Sequence, residues 1–509
     1  MSSVTIDQAP FEIVEHPRFE ATPVLAIIAA VALLHILTND RYGFHRDELQ
    51  FLSDSRHLDW GFVAYPPMTP FLEHILLSLF GLSLVWLRMF SVIAQMLALI
   101  LTALMTAELG GRRLAQVTAT LVVALSPLPM FEATEFQYSS FDYLWWVLTA
   151  YFTIRLLKSE DPRWWVAIGA AVGLALLTKY SIVFFIAGIL GGMILSGARR
   201  YFLGGWFWAS AGLALLIFLP NLLWQVRHEF ISYTFLQHIH ARDVRQGRAD
   251  DFLIGQIRIC INIFATPVVL AGLILFLRNR RYRMLGWMYL VPLALFYFAK
   301  GRHYYLAGAY PMLTAMGAAG AERWLSSLTK PARRFIPAIF FTGLAACGAF
   351  IGAVVLPLAS SGLLRDFALR RNVDLREEIG WNELVKTVAD IRDSLTTDQQ
   401  AHLGITVGNY GERGAIEMLG PAYHLPPPIS TVNSAWLLGY PIPPPTTIIA
   451  LGITREEADS IFTGCRLAGQ NGNALGIQNE ESEDHPNIFL CGPPRRPWSE
   501  MWKEHRDFG

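Results

Sequence analysis

The chain has 509 residues, of which 53% are hydrophobic and 16% charged, with a mean hydropathy of +0.36. Soluble domains are nearer a quarter charged, so this is the composition of a membrane protein. The 41 basic and 41 acidic residues cancel, a balance that says little because the two signs are unevenly distributed; four cysteines without a CxxC pair exclude a disulfide scaffold and a metal or redox pair of that type.

Residues 1–22 are polar and contain Asp7, Glu12, Glu15 and Glu20. That is no signal-peptide n-region, and no small-residue cleavage site follows. The segment reads as a cytoplasmic tail, and the first apolar run as a retained anchor. A spanning helix needs about 20 mostly apolar residues. On that criterion the runs are 23–38, 84–107, 115–131, 139–157, 163–178, 180–196, 204–224, 252–277, 284–299, 304–320 and 335–358, eleven crossings within a transmembrane domain of residues 23–358. The stretch from Pro66 to Phe80 is apolar too, but its prolines, Glu73 and His74 suit an interfacial helix.

Alternate connections are basic. Arg112/Arg113, Arg199/Arg200, the run from Arg278 to Arg283, and Lys330/Arg333/Arg334 fall in every second loop, which the positive-inside rule places in the cytoplasm. Histidines and acids collect in the other loops: 41–67, 132–138, 227–251 and 300–304. An odd number of crossings puts the residues after Ser360 outside the cytoplasm. There, 403-LGITV-407, 446-TTIIALGI-453 and 487-NIFLCG-492 read as buried strands, alternating with helical patterns at 374–395, 411–419 and 454–462. Residues 360–509 are therefore expected to form an extracytoplasmic α/β domain. The Pro-rich pieces 426–428 and 441–445 read as loops. Cys465 and Cys491 both fall in this domain; a disulfide and two buried thiols both stay open.

The first external loop, residues 39–82, holds the most telling chemistry. Asp47 and Glu48 follow the first span at once. An acid pair there either caps the helix that begins at this point or provides an outward carboxylate that takes a proton from a hydroxyl nucleophile. The same loop carries Asp59, Trp60 and Tyr65, and rings beside a carboxylate suit a sugar, whose C–H faces stack while its hydroxyls hydrogen-bond. Lys179, in 176-LLTKYS-181, and Lys300, Arg302 and His303, in 300-KGRHYY-305, are cations on the face opposite the basic loops. Snorkelling accounts for one such lysine; the set together fits an anionic lipid phosphate. The loop 224–251 adds His228, His238, His240, Arg242 and Arg245, whose spacing matches no closed zinc pattern, and it reads as solvated. No P-loop, GxGxxG or DxD is present to cradle a soluble nucleotide-sugar. A transporter or flippase, and a non-catalytic binder of lipid-linked glycan, are the alternatives. The first would want charges at mid-membrane on broken helices; here they sit in loops.

The pieces 40-DRYGFHRDELQFL-52, 57-HLDWGFVAYPPMTPFL-72, 140-SFDYLWW-146, 173-GLALLTKYS-181, 300-KGRHYYLAGAYPML-313, 406-TVGNYGERGAIEMLGP-421 and 491-CGPPRRPWSEMW-502 resemble the polytopic glycosyltransferases of the protein O-mannosyltransferase and aminoarabinose-transferase type. The likeness runs from residue 40 to the end. It implies the C-type glycosyltransferase fold in the inner membrane, a polyprenyl-phosphate sugar donor, and an envelope glycan, lipid or protein acceptor. Nucleic acid is no partner. It also implies a general base at Asp47 with Glu48 as its neighbour, and phosphate contacts from Lys179 and from Arg302 or His303. Where many relatives have an Asp two residues before Pro-Pro, this chain has Ala64. Asp59 and Asp142 then stand as its substitutes, and with Trp60, Tyr65 and Tyr304 they are the expected sugar- or acceptor-binding residues. Asp142 reads equally as an N-terminal helix charge. A divalent metal stays open.

Overall fold

The computed structural model describes residues 17–509; most of the expected 1–22 tail lies outside the described residues. Each of the eleven apolar runs carries a helix. The long ones are Ala21–Thr38, Leu84–Glu108, Tyr138–Ser159, Gly205–Arg227 and Lys330–Val355; shorter ones are Arg113–Ala124, Trp164–Leu176, Ile182–Leu195, Thr266–Arg278, Arg283–Phe298 and Tyr310–Ser326. Among the described residues, four helices are long and apolar enough to cross a bilayer by length and composition, or up to six if each of two bent pairs is one span. The run 252–277 is not the straight span the sequence suggests: Phe252–Cys260 and Ile263–Arg278 meet at 105°. Asn262 holds the corner. Its side-chain amide donates to the carbonyls of Leu125 (3.0 Å) and Leu344 (3.2 Å), tying the corner to two neighbouring helices, and its backbone N–H, freed by the break, donates to Ser126 Oγ (3.0 Å).

Small residues let these helices touch. A Cβ on Gly272 would collide with the Leu313 carbonyl, and one on Gly317 with the Val268 carbonyl, the close backbone approach that packs helices where no water is expelled. The basic connections lie at one end of the bundle and are tied to one another. Lys158 and Arg155 pair with Glu108 at 2.7 and 3.2 Å, and Arg200 and Arg281 reach Glu160 at 3.1 and 3.9 Å. Glu322 accepts the backbone N–H of Arg112 at 2.6 Å.

The opposite end carries the α/β domain. Five strands, β1 (Leu403–Val407), β2 (Pro428–Ile429), β3 (Thr447–Leu451), β4 (Arg466–Gln470) and β5 (Asn487–Cys491), form one sheet in the order β2-β1-β3-β5-β4. β1 is parallel to β2 and β3, while β5 runs antiparallel to β3 and β4. The three strands read from the sequence are the central ones. β4 has a half-exposed pattern that hides it from a search for buried runs, and β2 begins inside the expected proline loop. Cys465 and Cys491 form a disulfide joining the start of β4 to the end of β5. On one face the Trp381–Asp393 helix packs over Ile405, Ile449 and Leu490.

Two contacts fix this domain on the bundle. The Arg46–Ser55 helix lies against the Tyr410–Leu419 helix, with Gly414 so close that a Cβ would strike the Leu49 carbonyl. Arg88, at the outer end of the Leu84–Glu108 helix, is fully buried and donates to Glu48 through Nε (2.9 Å) and Nη2 (2.8 Å). Its Nη1 reaches Glu378 of the α/β domain at 3.3 Å.

Candidate active site

The Arg46–Ser55 helix begins with a capping box. His45 Nδ1 accepts the Asp47 N–H at 3.2 Å, and Glu48 Oε2 accepts the His45 N–H at 2.8 Å, satisfying donors that the first turn leaves open. The two acids then part company. Successive helical side chains diverge by about 100°, so one turns inward when the other turns out. Glu48 is completely buried and its second oxygen accepts the Phe136 N–H at 2.8 Å. With Arg88 on both oxygens, it belongs to the framework and not to the cavity, which corrects its expected place at the reacting centre. Asp47 faces the cavity, with Oδ1 accepting the Tyr410 hydroxyl at 3.0 Å.

That cavity measures about 990 Å³ and opens between the bundle and the α/β domain. Asp47, Lys179, Arg302, His303, Tyr304 and Tyr65 all line it. The Lys179 ammonium lies 4.8 Å from the ring centres of Tyr138 and Tyr305 and 4.9 Å from that of Tyr304. Three electron-rich faces stabilise a cation by attraction to the ring quadrupoles. Behind it a small polar recess is lined by Glu132 and Asp142. Asp142 accepts from Ser181 Oγ (2.9 Å) and Trp146 Nε1 (3.2 Å), so it is held in the recess with Lys179 and not in the lining of the larger cavity. Burial pushes the Glu132 carboxyl up to about 7, opposed by the Ser139 hydroxyl and by Lys179.

Arg302 is held by a partner that the sequence reading left in a solvated loop. Residues 231–245 are a helix, and its buried Asp243 takes Arg302 Nε at 2.6 Å and Nη2 at 2.8 Å. The fork geometry fixes the guanidinium in a plane, with Nη1 directed to Tyr304 Oη at 3.3 Å. His303 Nε2 is 2.7 Å from the Asp250 carbonyl. Arg242 and Arg248 join this cationic wall. The α/β domain and the chain leading into it contribute the acidic part of the lining, Asp374, Glu377, Glu480, Glu483 and Asp484. Burial, with Glu481 nearby, pushes Glu377 up to about 8.

Three expected residues lie elsewhere. Lys300 is exposed and outside the cavity, because the left-handed backbone at this position (φ 50°) turns the chain ahead of Arg302. Asp59 is spent on the Trp60 N–H (2.7 Å) and on Trp224 Nε1 (2.6 Å), and Trp60 is 59% exposed on the outer surface. Tyr65 lines the cavity with its ring, but its hydroxyl donates to the buried Asp54 at 2.5 Å. The sequence reading missed Tyr138, Tyr305, Tyr410 and Asp243. Tyr305 adjoins Tyr304 and Tyr410 stands within a quoted motif, so both were within reach; nothing local marks Asp243. Among the described residues no group of three His, Cys, Asp or Glu side chains could hold a metal ion.

Residues 64–224 match the family model described as dolichyl-phosphate-mannose-protein mannosyltransferase. The chain is 26% identical over 208 residues to the lipid A galacturonosyltransferase RgtD of Rhizobium johnstonii, a match covering 40% of this chain and 43% of that relative's length. Its fold is similar to that of ArnT from Cupriavidus metallidurans bound to undecaprenyl phosphate, with a TM-score of 0.57 and 14% identity over 93% of this chain and 98% of that one. For ArnT in the apo state the TM-score is 0.60, at 14% identity over 92% and 97%. An arabinofuranosyltransferase AftD from Mycobacteria follows at 0.51 and 13% identity, over 95% of this chain and 40% of that one. The fold is the one that ArnT has, and these likenesses bear out the resemblance read from the sequence.

Proposed function

We propose that this chain, built on the polytopic glycosyltransferase fold, transfers a sugar from polyprenyl phosphate to a hydroxyl acceptor on the outer face of the inner membrane. The observation that carries the reading is the shared cavity: a carboxylate, Asp47, and a caged ammonium, Lys179, line one space of about 990 Å³ beside the fixed guanidinium of Arg302. The eleven helical runs are spans or parts of spans, the tied basic loops are cytoplasmic, and the α/β domain is extracytoplasmic.

In the reaction, Asp47 accepts the proton of the acceptor hydroxyl as its oxygen attacks the anomeric carbon. The new C–O bond forms as the bond from the anomeric carbon to the phosphate oxygen breaks, and configuration inverts. The leaving polyprenyl phosphate gains one negative charge. Lys179 meets it with a preset positive charge that needs no reorganisation, while Arg302, oriented by Asp243, offers its remaining N–H groups. The Tyr410 hydroxyl holds one oxygen of Asp47 and leaves the other for the acceptor. The cavity's opening between the bundle and the α/β domain supports an acceptor hydroxyl on an envelope lipid, glycan or protein.

Transfer measured with purified protein, polyprenyl-phosphate sugars and envelope lipid tests this. Asp47→Asn keeps the size of the side chain and leaves the capping box of His45 and Glu48 in place but cannot take the proton. Transfer is expected to fall by ~10²–10⁴-fold with unchanged folding. A fully active Asp47→Asn protein would sink the mechanism.

A further inference from the structure

A second cavity, of about 800 Å³, lies at the other end of the bundle. It shares no lining residue with the Asp47 cavity. Its walls are the Arg113–Ala124, Thr266–Arg278, Tyr310–Ser326 and Lys330–Val355 helices, with Val268, Ala271, Ile274, Ala318 and Phe340 facing in. The Lys330–Val355 helix explains the opening. Its second half is seated, with Leu344, Gly348 and Ile351 buried, whereas its first half has no buried residue and leaves Phe335 and Ile339 exposed. The acid of the lining, Glu322, is already used: its carboxylate accepts the N–H groups of Arg112 (2.6 Å) and Ala115 (3.2 Å).

We infer that this groove binds one anionic phospholipid of the cytoplasmic leaflet. A space of this size and apolarity is typical of a binding site for a small hydrophobic molecule, and between membrane helices hydrocarbon fills it. Charge selects the kind. Exposed Arg113, Arg278, Arg333 and Arg334 each stand within about one helical turn of the lining residues Leu114, Leu275 or Ile336, and exposed Lys330 within about two turns of Ile336. Trp324, half exposed at the same rim, is of the type that settles at a headgroup interface. Acyl chains lie in the groove and the phosphate meets the basic rim. A zwitterionic lipid carries its own compensating cation; an anionic one keeps a net charge for these residues to hold. The donor lipid is a different molecule, because its phosphate belongs beside Lys179 at the far end.

Native mass spectrometry of the detergent-purified full chain, titrated with phosphatidylglycerol or phosphatidylcholine of identical chains, tests the site. One phosphatidylglycerol is expected to bind saturably and in preference. Replacing Lys330, Arg333 and Arg334 together by Gln, all on the exposed half-helix, should lower that preference by roughly 5-fold per charge. Ala271→Trp should fill the groove and remove the bound lipid altogether. Equal binding of the two lipids, a preference untouched by the triple replacement, or displacement of the bound lipid by polyprenyl phosphate would each overturn the inference.

Discussion

The Tyr410 hydroxyl, from the α/β domain, donates a 3.0 Å hydrogen bond to Asp47 Oδ1, in the first loop of the membrane domain. The tyrosine ring lies under the Arg46 guanidinium, 4.7 Å from its centre, while Arg46 itself pairs with Glu480 and, at 3.2 Å, with Glu481. Burial raises the Tyr410 phenol well above its usual range, so it stays protonated and remains a donor. The α/β domain therefore completes the site and does more than roof it.

Tyr410→Phe removes this one hydrogen bond and little volume. The expected outcome is a fall in kcat of at least about 10-fold, the low end of the ~1.5–3 kcal/mol of one hydrogen bond to a charged group, with donor KM and Tm nearly unchanged. Steady-state kinetics beside a thermal melt decide it; a loss confined to Tm would make the contact merely structural.

Lys179→Met keeps an unbranched apolar stem among Tyr138, Tyr304 and Tyr305 and deletes the charge. Donor binding should weaken by ~1.5–3 kcal/mol, about 10–150-fold, with the fold intact. Lys179→Arg should recover part of it. Equilibrium binding of a polyprenyl phosphate to each variant is the measurement, and wild-type affinity in Lys179→Met would remove this residue from the phosphate site.

Asp243→Asn frees the Arg302 fork. If Asp243 acts through Arg302, then Asp243→Asn, Arg302→Gln and the double variant should form a non-additive cycle in donor KM, with a coupling of ~0.5–3 kcal/mol. Additive effects would mean that the two residues act separately.

Arg88→Met leaves Glu48 and Glu378 buried without their cation. Removing one partner of such a buried pair costs about 3–5 kcal/mol, so the variant should melt at lower temperature and expose the junction between bundle and α/β domain to protease. Unchanged proteolysis would show that Gly414 and its neighbours suffice to hold the domain.

Burial, with Glu481 nearby, pushes the Glu412 carboxyl in the Tyr410–Leu419 helix up to about 8. A raised carboxyl binds its proton more tightly folded than unfolded. Its stabilising contribution is therefore full below the unfolded value near 4.5 and is lost as pH rises toward 8, with a slope of at most ~1.4 kcal/mol per pH unit. Wild-type Tm should fall across that window, and Glu412→Gln, which mimics the protonated acid, should flatten the fall. An unchanged slope in the variant would assign the pH response to other groups.

Much of the architecture was written in one dimension. Each apolar run yields a helix because burying hydrocarbon and closing backbone hydrogen bonds are both local demands on a segment of sufficient length. The basic loops gather at one end because alternate crossings must return the chain there. β1, β3 and β5 were legible as buried apolar runs, and Asp47 and Lys179 as charges beside hydrocarbon. Tertiary structure alone decided which member of a neighbouring pair faces the cavity. Asp47 and Glu48 differ by one residue, hence by about 100° around a helix, and only the packing of Arg88 and Phe136 turns Glu48 inward. The break at Asn262 depends on carbonyls from two distant helices, and the Arg302–Asp243 fork joins side chains 59 positions apart. Composition and periodicity constrain what a segment must bury; they carry no information about which polar partner another segment will bring to it.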